Sequence, residues 1–245
     1  MIVASVLPPF SLNLWQDIQV MLSYGFMRQA VLVGTILSLV ASLVGYFVVL
    51  RHQAFAGESL SDVAFTGALA GAVLGIDPLV GLLIATITVA LAMGVFGERL
   101  RGRDVAIGTV LSWVLGLGVL FLSLFTAYVS GKGTGFTGVM VLFGNILGLP
   151  TEQINAIIFI SILLVLVLLC IARPLLFASL DPDVAAARGV PVRALGLGFM
   201  VLLAVTISEA TLAVGALLVF ALLLLPAALA HRLVDRPALA LVLSA

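Results

Sequence analysis

Long apolar runs, separated by short polar loops, make up most of this chain. A helix that crosses the hydrocarbon core of a bilayer needs about 20 apolar residues, and several runs reach that length. Hydrophobic residues are 63% of the 245 and charged residues only 9%, whereas a soluble domain carries about 25% charged residues. No stretch is polar enough to form a soluble domain. We therefore expect a single transmembrane domain over residues 1–245, an all-α polytopic helix bundle of about 7–8 spans surrounded by lipid.

The apolar runs divide the chain into spans. Five match one span each: residues 29–50, 54–75, 79–97, 105–128 and 155–176. The run 194–230 is too long for one helix and is interrupted at Ser208-Glu209 and at Gly215, which predicts two crossings.

Two apolar pieces are too short to cross a membrane. Residues 139–149 follow a glycine-rich loop, 130–138, and predict a re-entrant or interfacial segment. For residues 237–245 there are two interpretations: the chain is truncated, or its end only enters the membrane interface.

Basic residues orient the spans, because cytoplasmic loops carry an excess of arginine and lysine. One orientation places nine of the 11 basic residues inside and omits only Arg28 and Lys132. It puts the N-terminus outside and leaves residues 12–24 as an interfacial helix. His52 and His231 adjoin arginines at these span ends, which favours a topological role over metal binding. The nine cytoplasmic residues are Arg51, Arg99, Arg101, Arg103, Arg173, Arg188, Arg193, Arg232 and Arg236.

Two acidic residues, Glu58 and Asp62, lie four positions apart inside the second apolar run. On a helix such positions are one turn apart on one face. A carboxylate in hydrocarbon costs about 2.5–3.5 kcal/mol for Asp on insertion scales, and such residues usually face a bundle interior or a water-filled path. The pair therefore predicts the route or binding point of a cation. The alternatives are pairing with a neighbouring helix's arginine or backbone, or a position near a helix end that reaches water.

The same run carries Gly67, Gly71 and Gly75, spaced four residues apart. Small residues at this spacing let two helix backbones approach closely. We interpret the stripe as a packing face.

Five phrases occur in order along the chain: RHQAFAGESLSDVAFTG at 51–67, DVAIG at 104–108, VLFGNILG at 141–148, DPDVAAARGVP at 181–191 and VGALLVFALLLLPAA at 214–228. Together they resemble the signatures of the ABC-3 membrane permeases, the transmembrane subunits of binding-protein-dependent importers for zinc, manganese and iron. The first is similar to the family's R…GDALSHAxxPG phrase and the last to its VGxLLVxALLxxPAA run.

The resemblance implies a division of labour in the cell membrane. Two permease copies form a pathway, a dimer of cytoplasmic ATPases drives it, and an extracytoplasmic metal-binding protein delivers the cargo. The chain has no Gly-x-x-x-x-Gly-Lys-Ser/Thr phosphate loop, so it is expected to be a non-catalytic subunit. No stably bound cofactor is expected, only a transported divalent metal.

The polar loop 178–193 is the candidate contact with the ATPase. Asp181 can cap a short helix, with Pro182 at its first position and Gly189 just past its end. The resemblance implies that this helix lies parallel to the membrane and transmits ATPase closure. The alternative is a solvated loop that only joins two spans. The residues assigned to coupling are Asp181, Asp183, Arg188 and Gly189.

In the family, the Asp and His of the first signature are associated with metal passage, and here those positions carry Glu58 and Asp62. Two hard oxygen ligands suit manganese or iron(II) better than zinc, which imidazole favours. We expect manganese or iron in preference to zinc, or a metal complex. Glu209 is a third intramembrane acid, which either completes a metal site with the pair or lies at the external mouth between the sixth and seventh spans.

Two other classes of protein fit the sequence less well. An ion-coupled secondary carrier is disfavoured because the chain has no detectable inverted repeat. An intramembrane aspartyl-type enzyme needs two carboxylates that meet and share a proton, and these come from two segments, whereas Glu58 and Asp62 share one turn. Nucleic acid is not an expected partner, because no basic block occurs.

Overall fold

The computed structural model describes residues 14–99, 103–128, 142–234 and 237–244, and in these ranges the chain is helical without strands. The predicted all-α class is confirmed. In chain order the helices are α1 (Leu14–Ser23), α2 (Gly25–Leu50), α3 (Ala54–Leu74), α4 (Pro78–Arg99), α5 (Arg103–Tyr128), α6 (Thr151–Leu180), α7 (Pro182–Ala187), α8 (Val192–Val214), α9 (Ala216–Leu233) and α10 (Pro237–Ser244).

Six helices in the described ranges are long and apolar enough to cross a membrane: α2, α4, α5, α6, α8 and α9. The helix α3 is not among them, because its acids and serines lower its apolarity. Its 21 residues nevertheless give a length of about 30 Å at 1.5 Å per residue. The predicted count of spans was therefore approximate. Of the two interruptions predicted within residues 194–230, the one at Gly215 is confirmed, since α8 ends at Val214 and α9 begins at Ala216. The one at Ser208-Glu209 is wrong, because α8 continues through both residues.

Helix α3 lies at the centre of the bundle and packs on α4, α5, α8 and α9. Glycine makes the contact with α4 possible: a Cβ on Gly67 would lie 2.6 Å from the Cβ of Ala85, and one on Gly71 would lie 3.2 Å from the Cα of Gly81. The predicted packing face is thus confirmed for Gly67 and Gly71. Gly75 differs, because it has φ +74° and ends the helix in the left-handed conformation that glycine adopts without strain.

Helix α9 packs along the second half of α2. A Cβ on Gly45 would overlap the backbone carbonyl of Leu223, so only glycine permits this approach. Further along, the ring of His231 stacks on Tyr46 with 4.5 Å between centroids.

Of the predicted short segment 139–149, the structure describes residues 142–149, which include one 3₁₀ turn, Ile146–Gly148. The Cδ1 of Ile146 lies 3.4 Å from the position of a Cβ on Gly34, which is more than two turns inside α2. The turn therefore dips beside the bundle, which favours the re-entrant alternative.

The two ends of the chain are helical where they are described: α1 covers most of the predicted interfacial helix 12–24, and α10 most of the final apolar run. The glycine-rich loop 130–138, residues 139–141, Arg101, Arg236 and Ala245 lie outside the described residues.

The polar loop 178–193 contains the short helix that the sequence predicts. The Asp181 side chain accepts a hydrogen bond from the Val184 N–H at 3.0 Å, and Pro182 occupies the first turn of α7. Gly189 follows with φ +81°, as expected for the residue that ends a helix.

Candidate functional site

Glu58 and Asp62 occupy the one open face of α3. Their neighbours Ser59, Leu60 and Ser61 are buried, whereas Glu58 is exposed and Asp62 is half-buried. A helix that packs on four others thus presents two carboxylates outward. That arrangement needs water, a cation or another protein surface beside it, because a carboxylate that faces lipid is expensive.

Within the described ranges, no cation is seen to neutralise this pair. Among the described residues, no arginine, lysine or histidine forms an ion pair with Glu58 or Asp62.

The backbone that carries the pair is held on two sides. The Ser61 hydroxyl donates to the carbonyl of Ala216 in α9 at 2.7 Å, and both groups are buried. One turn after Asp62, the Thr66 hydroxyl lies 3.3 Å from the Asp62 carbonyl and 3.4 Å from that of Val114 in α5. These contacts fix the direction of the acidic face relative to α5 and α9.

Glu209 has the opposite environment. It lies in α8 and is fully buried. The hydroxyl of Ser161 in α6 donates to its Oε1 at 3.1 Å, while Oε2 has no hydrogen-bond partner. The structure thus places the Glu209 side chain inside the bundle, where α8 contacts α6.

The three predicted site carboxylates do not meet within one chain. The described residues contain no group of three His, Cys, Asp or Glu side chains that could hold a metal ion. The structure brings together Glu58 and Asp62 only. The residues predicted to contact the ATPase, Asp181, Asp183, Arg188 and Gly189, lie in or directly beside α7.

Another buried polar contact, between Thr86 and Ser208, was not predicted from the sequence. The hydroxyls of Thr86 in α4 and Ser208 in α8 lie 2.6 Å apart, and both residues are fully buried. With Ser161 and Glu209, they form a layer of polar contacts around α8. The hydroxyl residues inside the apolar spans could have indicated such contacts, because hydroxyl groups commonly form hydrogen bonds between membrane helices.

Two of the family-like phrases meet in space. Gly144, in VLFGNILG, has φ +76°, and Gly215, at the break between α8 and α9, has φ +92°. A Cβ on either residue would overlap the backbone of the other's segment. Segment 142–149 therefore packs directly against the α8–α9 break, and both positions require glycine.

Long apolar helices around a central helix with an open acidic face are the architecture of a polytopic membrane transport protein. Within that class, the chain belongs to the ABC 3 transport family, whose model matches residues 23–245. The resemblance seen in the sequence is confirmed, and the chain is a multi-pass membrane protein.

Individual relatives agree with this assignment. The chain is 29% identical over 226 residues to the manganese transport system membrane protein MntC of Halalkalibacterium halodurans, covering 92% of this chain and 75% of the relative. It is 28% identical over 212 residues to the chelated iron transport system membrane protein YfeD of Yersinia pestis, covering 86% and 69%. Its fold is similar to PsaBC from Streptococcus pneumoniae, with a TM-score of 0.79, 26% identity and coverage of 95% of this chain and 82% of that chain.

Proposed function

We propose that this chain is the transmembrane subunit of an ABC importer that moves a divalent transition metal into the cytoplasm. Manganese or iron is the favoured cargo, ahead of zinc. Relatives named for manganese and for chelated iron support this choice. A separate ATPase dimer supplies the energy, because the chain carries no phosphate-binding loop of its own.

The observation that carries the proposal is the open acidic face of α3. Glu58 is exposed and Asp62 is half-buried on a helix whose neighbouring residues Ser59, Leu60 and Ser61 are buried, and hydrocarbon is an unfavourable environment for both carboxylates. A second copy of the chain, related by a two-fold axis, would present the same face and enclose an aqueous path between the copies. Each copy would then contribute two carboxylates to the lining of that path.

The donor set determines which cargo the path accepts. Carboxylate oxygens are hard ligands that suit manganese and iron(II), and this turn of α3 offers no imidazole or thiolate. The metal gains favourable interactions as it sheds water, and the negative charges attract any divalent cation from the external side. A metal held only by flexible carboxylates can also be released, as transport requires.

Glu209 is left out of this path. Its Oε1 is bonded to Ser161, and the side chain has no exposed surface from which to reach a cargo at Glu58. We assign it to the contact between α6 and α8.

Uptake into vesicles tests the proposal. The chain is reconstituted with its ATPase and binding protein, and entry of Mn²⁺ is followed with ATP present or absent. ATP-dependent uptake that Fe²⁺ competes with more strongly than Zn²⁺ is expected. Uptake driven by a proton or sodium gradient without the ATPase would contradict the proposal and indicate a secondary carrier.

A further inference from the structure

Arg51 ends α2 and stands directly before the helix that bears the acidic pair. Its N–H donates to the Phe47 carbonyl at 2.9 Å, which closes the last turn of α2. Only His52 and Gln53 separate it from the start of α3. Glu58 follows one turn into that helix, so Arg51 and the acidic pair are joined by a very short stretch of chain.

The Arg51 side chain reaches both helices that flank α7. Its Nη1 lies 3.5 Å from the Ser179 hydroxyl, in the last turn of α6. Its guanidinium carbon lies 5.6 Å from the ring centroid of Phe199 in α8, within the range of a cation–π contact. A Cβ on Gly196 in α8 would lie 3.5 Å from Nη2, an ordinary van der Waals distance, so the guanidinium also lies beside the backbone of α8. One planar side chain thus joins the end of α6 to the start of α8.

Helix α7 packs on the end of α6 and is joined to α8 by residues 188–191. Ala185 in α7 is fully buried, and the guanidinium of Arg188 lies 5.7 Å from the Phe177 ring in α6. The Asp181 cap fixes where α7 begins. We therefore expect a force applied to α7 to displace the end of α6 and, through residues 188–191, the start of α8, and Arg51 contacts both helices there.

The turn between Arg51 and α3 has little conformational freedom. His52 has φ +53°, an uncommon conformation for a residue other than glycine, and Gln53 is only 2% exposed. The Gly57 N–H donates to the Gln53 carbonyl at 3.1 Å, which joins this turn to α3. A shift of the Arg51 guanidinium is therefore passed to the first turn of α3 and is not absorbed by a flexible loop.

We propose that Arg51 is a positioning residue that transmits displacement of α7 to the turn carrying Glu58 and Asp62. This inference rests on the proposed function, because it assumes that an ATPase acts on α7. Arg51 itself does not contact the cargo. It couples the state of the cytoplasmic loop to the direction in which the carboxylates face.

The test uses the complete complex in vesicles and compares Arg51→Ala with Arg51→Lys and Phe199→Leu. Two quantities are measured: Mn²⁺ imported per ATP hydrolysed, and the stimulation of ATP hydrolysis by the binding protein. Arg51→Ala is expected to lower both at least tenfold while basal hydrolysis continues. Arg51→Lys should restore part of the coupling through its charge, and Phe199→Leu should cause a smaller loss. Arg232→Ala, an exposed cation at the end of α9, is the matched control and should leave both quantities unchanged.

The outcomes separate this inference from the proposed function. If wild type imports Mn²⁺ and Arg51→Ala keeps both ratios, the role of Arg51 is overturned and the proposed function stands. A loss of uptake and basal hydrolysis in parallel, with a lowered melting temperature and no rescue by Arg51→Lys, would show a merely structural role and also overturn it. If wild type imports no divalent metal, the proposed function fails, whereas loss of binding-protein stimulation in Arg51→Ala would still support transmission through Arg51.

Discussion

The turn of α3 that carries Glu58 and Asp62, called here the acidic turn, and Glu209 in α8 place the same functional group, a carboxylate, in opposite surroundings. Glu58 and Asp62 are directed out of the bundle and have no cation beside them among the described residues. Glu209 is sealed inside and receives a hydrogen bond from Ser161. A membrane carboxylate is tolerated either when it finds a partner inside its own chain or when something outside the chain covers it. The first condition describes Glu209, and the second requires a path or a partner at α3.

The largest effect on transport is expected from changes to the carboxylates of the acidic turn. The double variant Glu58→Gln/Asp62→Asn removes the charge but keeps the shape, so Mn²⁺ uptake should fall at least tenfold, equivalent to about 1.4 kcal/mol or more. The melting temperature should stay close to wild type, because neither group is held by an internal ion pair. Vesicle uptake and thermal unfolding check the two parts. Glu152→Gln, an exposed acid in the first turn of α6, is the control. Normal uptake by the double variant would remove the acidic turn from the transport path.

Neutralising the sealed glutamate should have much less effect on transport. Glu209→Gln retains an acceptor for the Ser161 hydroxyl and no longer places an ionisable group inside the bundle. Uptake is expected within about twofold of wild type, which is only about 0.4 kcal/mol, with an unchanged or raised melting temperature. A large loss of uptake in a normally folded Glu209→Gln protein would return this residue to the metal path and remove the distinction between the two regions.

Removing the partner of Glu209 should affect stability more than transport. Ser161→Ala leaves a buried carboxyl oxygen without its donor, which costs about 1–3 kcal/mol. Thermal unfolding in detergent measures the change. Ser112→Ala is the matched control, since the Ser112 hydroxyl is exposed and bonds only within its own helix. Equal melting temperatures for the two variants would mean that the Ser161–Glu209 contact contributes nothing.

The smallest effect on stability is expected from removing the Thr66 hydroxyl, which lies one turn after Asp62. Thr66→Val keeps the side-chain shape and removes the hydroxyl that lies between the carbonyls of Asp62 and Val114. Hydrogen bonds between membrane helices are worth about 0.6 kcal/mol on average, so a melting point only slightly below wild type is expected. Thr109→Val, whose hydroxyl bonds to Val105 on an exposed face, supplies the comparison. A collapse of stability in Thr66→Val alone would show that α5 holds the acidic turn far more tightly than one hydrogen bond allows.

Local chemistry made much of the fold predictable. The break at Gly215 and the cap at Asp181 each depend on residues within a few positions of one another, and the lengths of apolar runs set the long helices. The same local rule placed Glu58 and Asp62 on one face. Which face of α3 stays open could not be predicted, because it depends on how α4, α5, α8 and α9 surround it.

The parts of the site that the sequence did not predict are long-range contacts. Ser161 and Glu209 are 48 residues apart, and Thr86 and Ser208 are 122 apart. Gly144 and Gly215 each lie in a family-like sequence phrase, but no neighbouring residue in the sequence indicates that their backbones are in contact. Such pairs are fixed by tertiary packing. Glu209 could therefore be identified as unusual from the sequence, but not assigned to the metal path or excluded from it.

Equilibrium binding of Mn²⁺ to the purified complex tests the central claim most directly. Wild type, Glu58→Gln/Asp62→Asn and Glu209→Gln are compared for the metal that each complex retains. Wild type and Glu209→Gln should bind alike, while the double variant should bind at least tenfold more weakly. Undiminished binding by the double variant, or loss of binding in Glu209→Gln alone, would contradict the assignment of the cation path to the open face of α3.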